Sequence, residues 1–199
     1  MSEIKQKPNN SKSDLKNIFY EGIKKVATQV HPNFTITEEV LAVVVNIYSD
    51  FIDRLLRAAE KHTSKKVTLT VRILKLGLRD VLEKELAKHA IAVTDKEMRK
   101  YKKSLRVGPI PDLIENVKWN PAFEHKKVLG LIRETCFLER ISPDCGAAMG
   151  AILEYIAAEM LELGGFRTRD QGQTEITARH LNEAIEADEE LRKGFGKKI

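Results

Sequence analysis

Cysteine, tryptophan and long apolar runs are what this 199-residue chain has least of. Its two cysteines, Cys136 and Cys145, exclude a disulfide framework. No apolar stretch approaches the roughly 18 residues of a membrane helix, so no membrane association is expected. The opening MSEIKQKPNN lacks the apolar segment of a secretory signal, which points to a reducing compartment. The five histidines, at positions 31, 62, 89, 125 and 180, form no HExxH and no pair four apart, and neither cysteine has metal-ligand spacing. A metal site is therefore not expected. Gly194-Phe195-Gly196 lacks the remainder of a phosphate loop and the strand that precedes one. Cys136 has no local base and is expected to be a buried structural thiol. With no catalytic constellation and no cofactor motif, the chain is not expected to be an enzyme.

What is present is charge, unevenly placed. The total of 34 Lys+Arg against 29 Asp+Glu gives only +5, a weak hint of a polyanionic partner. Residues 1–104 hold 21 basic and 13 acidic side chains, net +8, and the remainder holds 13 and 16, net −3. Between the halves lies Leu105 to Pro121, where Gly108, Pro109, Pro111 and Pro121 break any helix, so residues 105–121 read as a connector. Leu113, Ile114, Val117 and Trp119 suggest that part of this connector packs.

Helical periodicity dominates each half. From about Thr37 to His62, Leu41, Val44, Tyr48, Phe51, Ile52, Leu55 and Ala59 recur at three- and four-residue steps. Thr35 and Glu38 have capping-box spacing, and Glu38 and Glu39 suit the positive end of the helix dipole. A shorter helix is expected over Leu15 to Val30, ended by His31-Pro32, a third short one behind Thr70, and a fourth from Lys84 to Lys103 that ends in the basic cluster Arg99, Lys100, Lys102 and Lys103. The second half repeats the short, long, short order over Glu124 to Glu134, Asp144 to about Asp170 and Ala178 to Glu186, with Gly164 and Gly165 weakening the long one. Leu69-Thr70-Val71-Arg72 aligns with Ile176-Thr177-Ala178-Arg179, and Thr70 and Thr177 lie 107 residues apart. No strand-period segment of useful length appears, so the class is all-α. A long helix between two short ones needs a partner of its own shape, and two such units on one chain supply both members of an intramolecular pair. Periodicity alone fits a generic helical bundle equally well.

Particular strings are more specific. Gln29-Val30-His31-Pro32, the loop Lys65-Lys66 with Thr68, and Glu85-Leu86-Ala87-Lys88-His89-Ala90 resemble core histone type two-B in order and spacing. Ala151-Ile152-Leu153-Glu154-Tyr155, Ala158 to Leu163, Arg169-Asp170, Ala178-Arg179-His180-Leu181, Ala184-Ile185 and Asp188-Glu189-Glu190-Leu191 resemble type two-A. The chain thus resembles a fused core histone doublet of the kind known from nucleocytoplasmic large DNA viruses. The division expected is a tail over 1–14, a two-B-like histone fold with a C-terminal helix over 15–104, the connector, and a two-A-like histone fold over 122–199.

The resemblance implies two histone folds forming an intramolecular heterodimer that joins histone three/four-type partners, either separate chains or another fused doublet, to wrap double-stranded DNA in a nucleosome-like particle. It implies location in a virion with the packaged genome and in a host nucleus or viral factory. DNA-facing residues implied are Thr35, Ile36, Thr37, Lys65, Lys66 and Thr68 in the first half, and Lys127, Arg133, Arg140, Ile141, Ser142 and Thr174 in the second. Glu85, Glu154, Glu159, Glu162, Asp188, Glu189 and Glu190 match the family's acidic patch, which receives basic tails and factors; an acid that the family places near Val93 is missing. Glu175 stands where the family has a basic residue, so DNA is expected to be held more weakly there. The short tail is less basic than in typical histones, and the chain stops near where the family's docking extension begins. The other reading that keeps the fold is a sequence-specific transcription regulator.

Overall fold

The computed structural model describes residues 12–63, 68–106 and 119–196. The tail over 1–11, Lys65 and Lys66, and the connector's Leu113, Ile114 and Val117 lie outside these residues.

The first half comprises α1 (Lys12–Val30), β1 (Thr35–Ile36), α2 (Glu38–Lys61), α3 (Val71–Val81) and α4 (Lys84–Arg106). The second comprises α5 (His125–Thr135), α6 (Asp144–Asp170), β2 (Glu175–Ile176), α7 (Ala178–Ala187) and α8 (Glu189–Phe195). The chain is all-α with two histone folds. Helix α1 begins three residues before the expected start at Leu15, inside the segment read as tail, and α4 runs three residues beyond Lys103 into the segment read as connector. The short helix α8 has no counterpart among the expected elements.

The long helices are amphipathic in different degrees. On α2 the inward set Leu41, Val44, Tyr48, Phe51, Ile52 and Leu55 is buried, whereas α6 is buried nearly all round from Cys145 to Ile156. Their relative direction follows from the loops. The strand β1, just before α2, pairs in parallel with β2, just after α6; Leu69, after α2, bridges Ile141, just before α6. Each long helix therefore starts where the other ends, and the two run antiparallel. Near the middle of α2, Tyr48 is fully buried and its hydroxyl donates to the Leu153 carbonyl of α6 at 2.7 Å, fixing the crossing. Burial pushes the Tyr48 phenol well above its ordinary range, so it stays a donor.

Further helices cover the crossing from both sides: α1 and α4 pack on α6, and α7 reaches α2. Entry into the second half is pinned between the halves. Trp119 packs on Tyr101 of α4 with ring centroids 4.7 Å apart, and Lys25 of α1 donates to the carbonyls of Asn120 and Pro121 at 3.2 and 3.1 Å. Phe123 then inserts edge-on between Phe19 and Tyr48 with centroids at 5.6 and 5.8 Å. It lies so close to Gly22 that a side chain there would collide with its ring.

Two local expectations are corrected. Thr35 does not cap α2, because its amide is drawn to the Thr174 carbonyl at 3.0 Å; Thr37 occupies the N-cap position without a side-chain cap. Gly164 and Gly165 do not interrupt α6, which continues to Asp170. The His31 ring lies where a Gly165 side chain would stand, and its Nε2 is 3.0 Å from the Glu162 carbonyl, so glycine is the residue that admits this contact between halves. The Thr70 and Thr177 signals are caps: each hydroxyl accepts the amide three residues on, from Ile73 and His180.

Phe123→Ala removes the ring shared by both halves and is expected to lower stability by about 3–5 kcal/mol. Gly22→Ala is expected to cost about 1–3 kcal/mol by overpacking against that ring. Urea denaturation followed by helical circular dichroism measures both.

Candidate nucleic-acid interface and carboxylate cluster

The antiparallel crossing brings the loops together in two pairs, one at each end. At one end the Leu69 amide donates to the Arg140 carbonyl at 2.8 Å and the Ser142 amide to the Leu69 carbonyl at 2.9 Å. Thr68, Arg140, Ile141 and Ser142 are thereby brought together, with Lys65 and Lys66 belonging to the same loop but outside the described residues. Glu60, at the end of α2, braces this junction by accepting the Phe137 amide at 2.8 Å. Arg133 is exposed in the last turn of α5, and Lys127 is exposed at its start, ion-paired to Glu124 at 2.9 Å.

At the other end, Thr35 and Ile36 lie opposite Glu175 and Ile176, and the Thr37 amide donates to the Ile176 carbonyl at 3.1 Å. Thr35, Thr174 and Glu175 are exposed. Neither strand carries a cation at this end, and Glu175 presents the opposite charge. Each junction leads directly into helix N-termini: α2 and α7 at this end, α3 and α6 at the other. Both therefore offer main-chain amides and the positive ends of helix dipoles to an anion.

The α7 start has an arrangement that sequence reading missed. His180 is buried, its Nδ1 accepts the Thr177 amide at 3.3 Å and lies 2.9 Å from Thr168 Oγ1, and its Nε2 is 3.2 Å from Gln171 Oε1. The imidazole thus completes a capping box usually closed by Glu or Gln. Only the three-residue spacing from Thr177 signals it in the sequence.

The acidic residues divide into neighbourhoods. Glu159 of α6 has Glu162 of the same helix and Asp188 at the α7–α8 junction as neighbours, with Glu190 and Asp188 both acting on Tyr155. Glu85 joins through His89, whose Nε2 is 3.9 Å away and whose field also reaches Glu159. Asp188 additionally caps α8, accepting the Leu191 amide at 2.8 Å, and Glu189 pairs with Lys193 at 2.8 Å. Glu154 is turned elsewhere: its carboxylate accepts the Ala122 amide at 2.9 Å in the neighbourhood of Lys25, Glu97 and Lys100. Glu97, one turn beyond Val93, brings an acid to that neighbourhood that sequence reading did not include, although Lys100 holds it at 2.6 Å.

Burial raises the Glu159 carboxyl above its ordinary value; the Tyr155 hydroxyl opposes this, Glu162 adds to it, His89 opposes it and Asp188 adds to it. Burial likewise raises Glu154 against the opposing Ala122 amide. The two thiols sit in different surroundings. Cys145 is buried with its thiol directed to the Leu69 carbonyl at 3.4 Å, and burial first, then Asp144, pushes it up to about 12. Cys136 is half-buried 3.6 Å from the Glu60 carboxylate. Among the described residues no group of side chains suits a metal ion, and no helix is long and apolar enough to cross a membrane.

Two short-long-short helical units, crossed antiparallel and joined by parallel loop pairs, define a pair of histone folds on one chain. No family model matches the chain. It is similar to a Melbournevirus histone doublet of types two-B and two-A, 26% identical over 199 residues, which cover 98% of this chain and 71% of that relative. With its two-B-like half first, the chain resembles the viral fused histone doublets in order and in extent. The likeness supports a histone-type structural role in DNA packaging and histone partners in general, and it suggests a non-enzymatic protein.

A carboxyl raised on folding costs stability while ionised, and that cost vanishes as pH falls through its raised value. Glu159→Gln is therefore expected to exceed the parent in stability at neutral pH, with the gap narrowing on acidification. Urea midpoints across the mildly acidic range measure this; a gap that stays constant contradicts it.

Proposed function

We propose that the chain packages double-stranded DNA without sequence preference, as the two-B/two-A member of a nucleosome-like particle completed by histone three/four-type partners. The observation that carries this reading is the antiparallel loop pairing, which places two amide-rich junctions at opposite ends of one crossed helix pair. The histone octamer is the established example of such binding, in which arginines enter the minor groove while helix dipoles and main-chain amides hold the neighbouring phosphates. Thr35, Ile36, Thr37 and Thr174 would meet phosphate at one junction, and Lys65, Lys66, Thr68, Arg140, Ile141 and Ser142 at the other. Arg133 and Lys127 would approach it from α5.

In the same reading the cluster of Glu85, Glu159, Glu162, Asp188 and Glu190, bordered by Glu189 and with Glu154 behind it, takes basic tails or chromatin factors. Like charges gathered from both halves repel one another unless a cation neutralises them. The viral relative points to association with a genome in an infected cell, and a virion or a nuclear or factory site is the finer form of that proposal.

Nuclease digestion of the chain mixed with three/four-type histones and random-sequence DNA tests the reading. Protection of a discrete length on the order of 100 base pairs or more is expected; protection confined to one short sequence would favour the regulator. Lys65→Ala with Lys66→Ala is expected to lower the salt slope of DNA binding by up to about 2, and Glu175→Arg to raise it by about 1. Titrations of a labelled duplex at several salt concentrations measure both.

A further inference from the structure

The C-terminal half of α4 carries more positive charge than the paired loops use. Residues 96–106 hold six basic side chains and one acid. Lys96, Arg99, Lys103 and Arg106 are all exposed. At 100° per residue they fall within an arc of about 80°, forming a ridge about 15 Å long.

Acids near this segment are already engaged: Glu97 pairs with Lys100 at 2.6 Å, and Asp95 with Lys75 at 2.8 Å. Among the described residues none of the four ridge cations has an ion-pair partner. Their steps of three and four residues set like charges side by side, which weakens a helix in the absence of an external anion. The dipole at the helix end accounts for Lys103 and Arg106 but not for Lys96 and Arg99, which lie further than a turn from it.

The ridge is also placed. Lys102, on its flank, lines a groove of about 340 Å³ together with Thr70, Arg72, Lys75, Ser142 and Asp144, beside the Leu69–Ile141 bridge. It therefore adjoins the more basic of the two loop junctions.

We propose that the α4 ridge is an additional binding surface for the phosphate backbone of duplex DNA, continuing from the Leu69–Ile141 junction. This rests on the DNA-binding reading above and extends it to a face that the paired loops do not form. A duplex presents one charge per roughly 1.7 Å of axis, so a ridge of this length faces several phosphates. The surface offsets the junction where Glu175 stands.

The test compares the full chain with a variant carrying Lys96→Gln, Arg99→Gln, Lys103→Gln and Arg106→Gln, residues of similar helix propensity. A charge-matched control carries Lys84→Gln, Lys88→Gln, Arg192→Gln and Lys193→Gln. Binding to a random-sequence duplex is measured against salt, alongside a polyglutamate peptide, and Tm is recorded for each protein. The ridge variant is expected to lose about 2 to 4 from the salt slope, at roughly 0.9 per phosphate contact. The control is expected to lose less, and the Tm of the ridge variant to equal or exceed that of the parent. A slope unchanged in the ridge variant while the parent binds DNA overturns the proposal alone; a parent without salt-dependent duplex binding overturns the DNA reading as well. A lowered Tm, or a loss confined to the polyglutamate peptide, also overturns the proposal.

Discussion

The packing of α1 and α4 of the first half onto α6 of the second, with the Tyr48 hydroxyl of α2 on the Leu153 carbonyl of α6, is what holds the two halves as one fold, and the paired loops depend on it. Helix α6 is enclosed along most of its length, and α2 turns its aromatic and branched face onto the same core. The antiparallel crossing that satisfies both is fixed at its centre by Tyr48 on the Leu153 carbonyl and at its ends by the two loop pairings. Those pairings are what create composite surfaces, since each draws residues from both halves. Fusion makes this pairing intramolecular, replacing a bimolecular association by an effective concentration on the order of millimolar. The segment 119–123 shows how the join serves the fold: its main chain is held by Lys25 and Glu154, and its Phe123 completes an aromatic cluster with Phe19 and Tyr48.

The charge pattern takes its meaning from this frame. A basic first half and an acidic second half nearly cancel over the whole chain, yet folding keeps the signs apart. Cations collect at the loop junction beside Arg140 and along α4, whereas α6 and the α7–α8 junction bring carboxylates of the second half to Glu85 and His89 of the first. Partial burial raises the Glu159 carboxyl, so its ionised form there carries a desolvation cost. A small net charge is thus compatible with two oppositely charged surfaces on one chain.

Features carried by local sequence were legible from it. The spacing from Leu41 to Ala59 announced α2, and Thr70 and Thr177 announced the helices they cap, because a cap and an amphipathic face depend on neighbours within a turn or two. Features set by distant neighbours were not. Thr35 and Glu38 have capping-box spacing, but a carbonyl 139 residues away claims the Thr35 amide. Gly165 looked like a helix weakness and is the seat of His31. The resemblance groups the acidic residues as one set, whereas the turn of Glu154 toward Ala122 depends on where the second half enters the fold. Seven carboxylates along a sequence do not reveal which share a surface.

The mutual dependence of the halves is tested most directly by introducing a protease site between residues 107 and 118, cutting the purified chain and following its mass by sedimentation at low salt. The account predicts that the cut fragments stay together as one folded particle with undiminished helicity and separate only on denaturation. Separation into independently folded halves at low salt would contradict it.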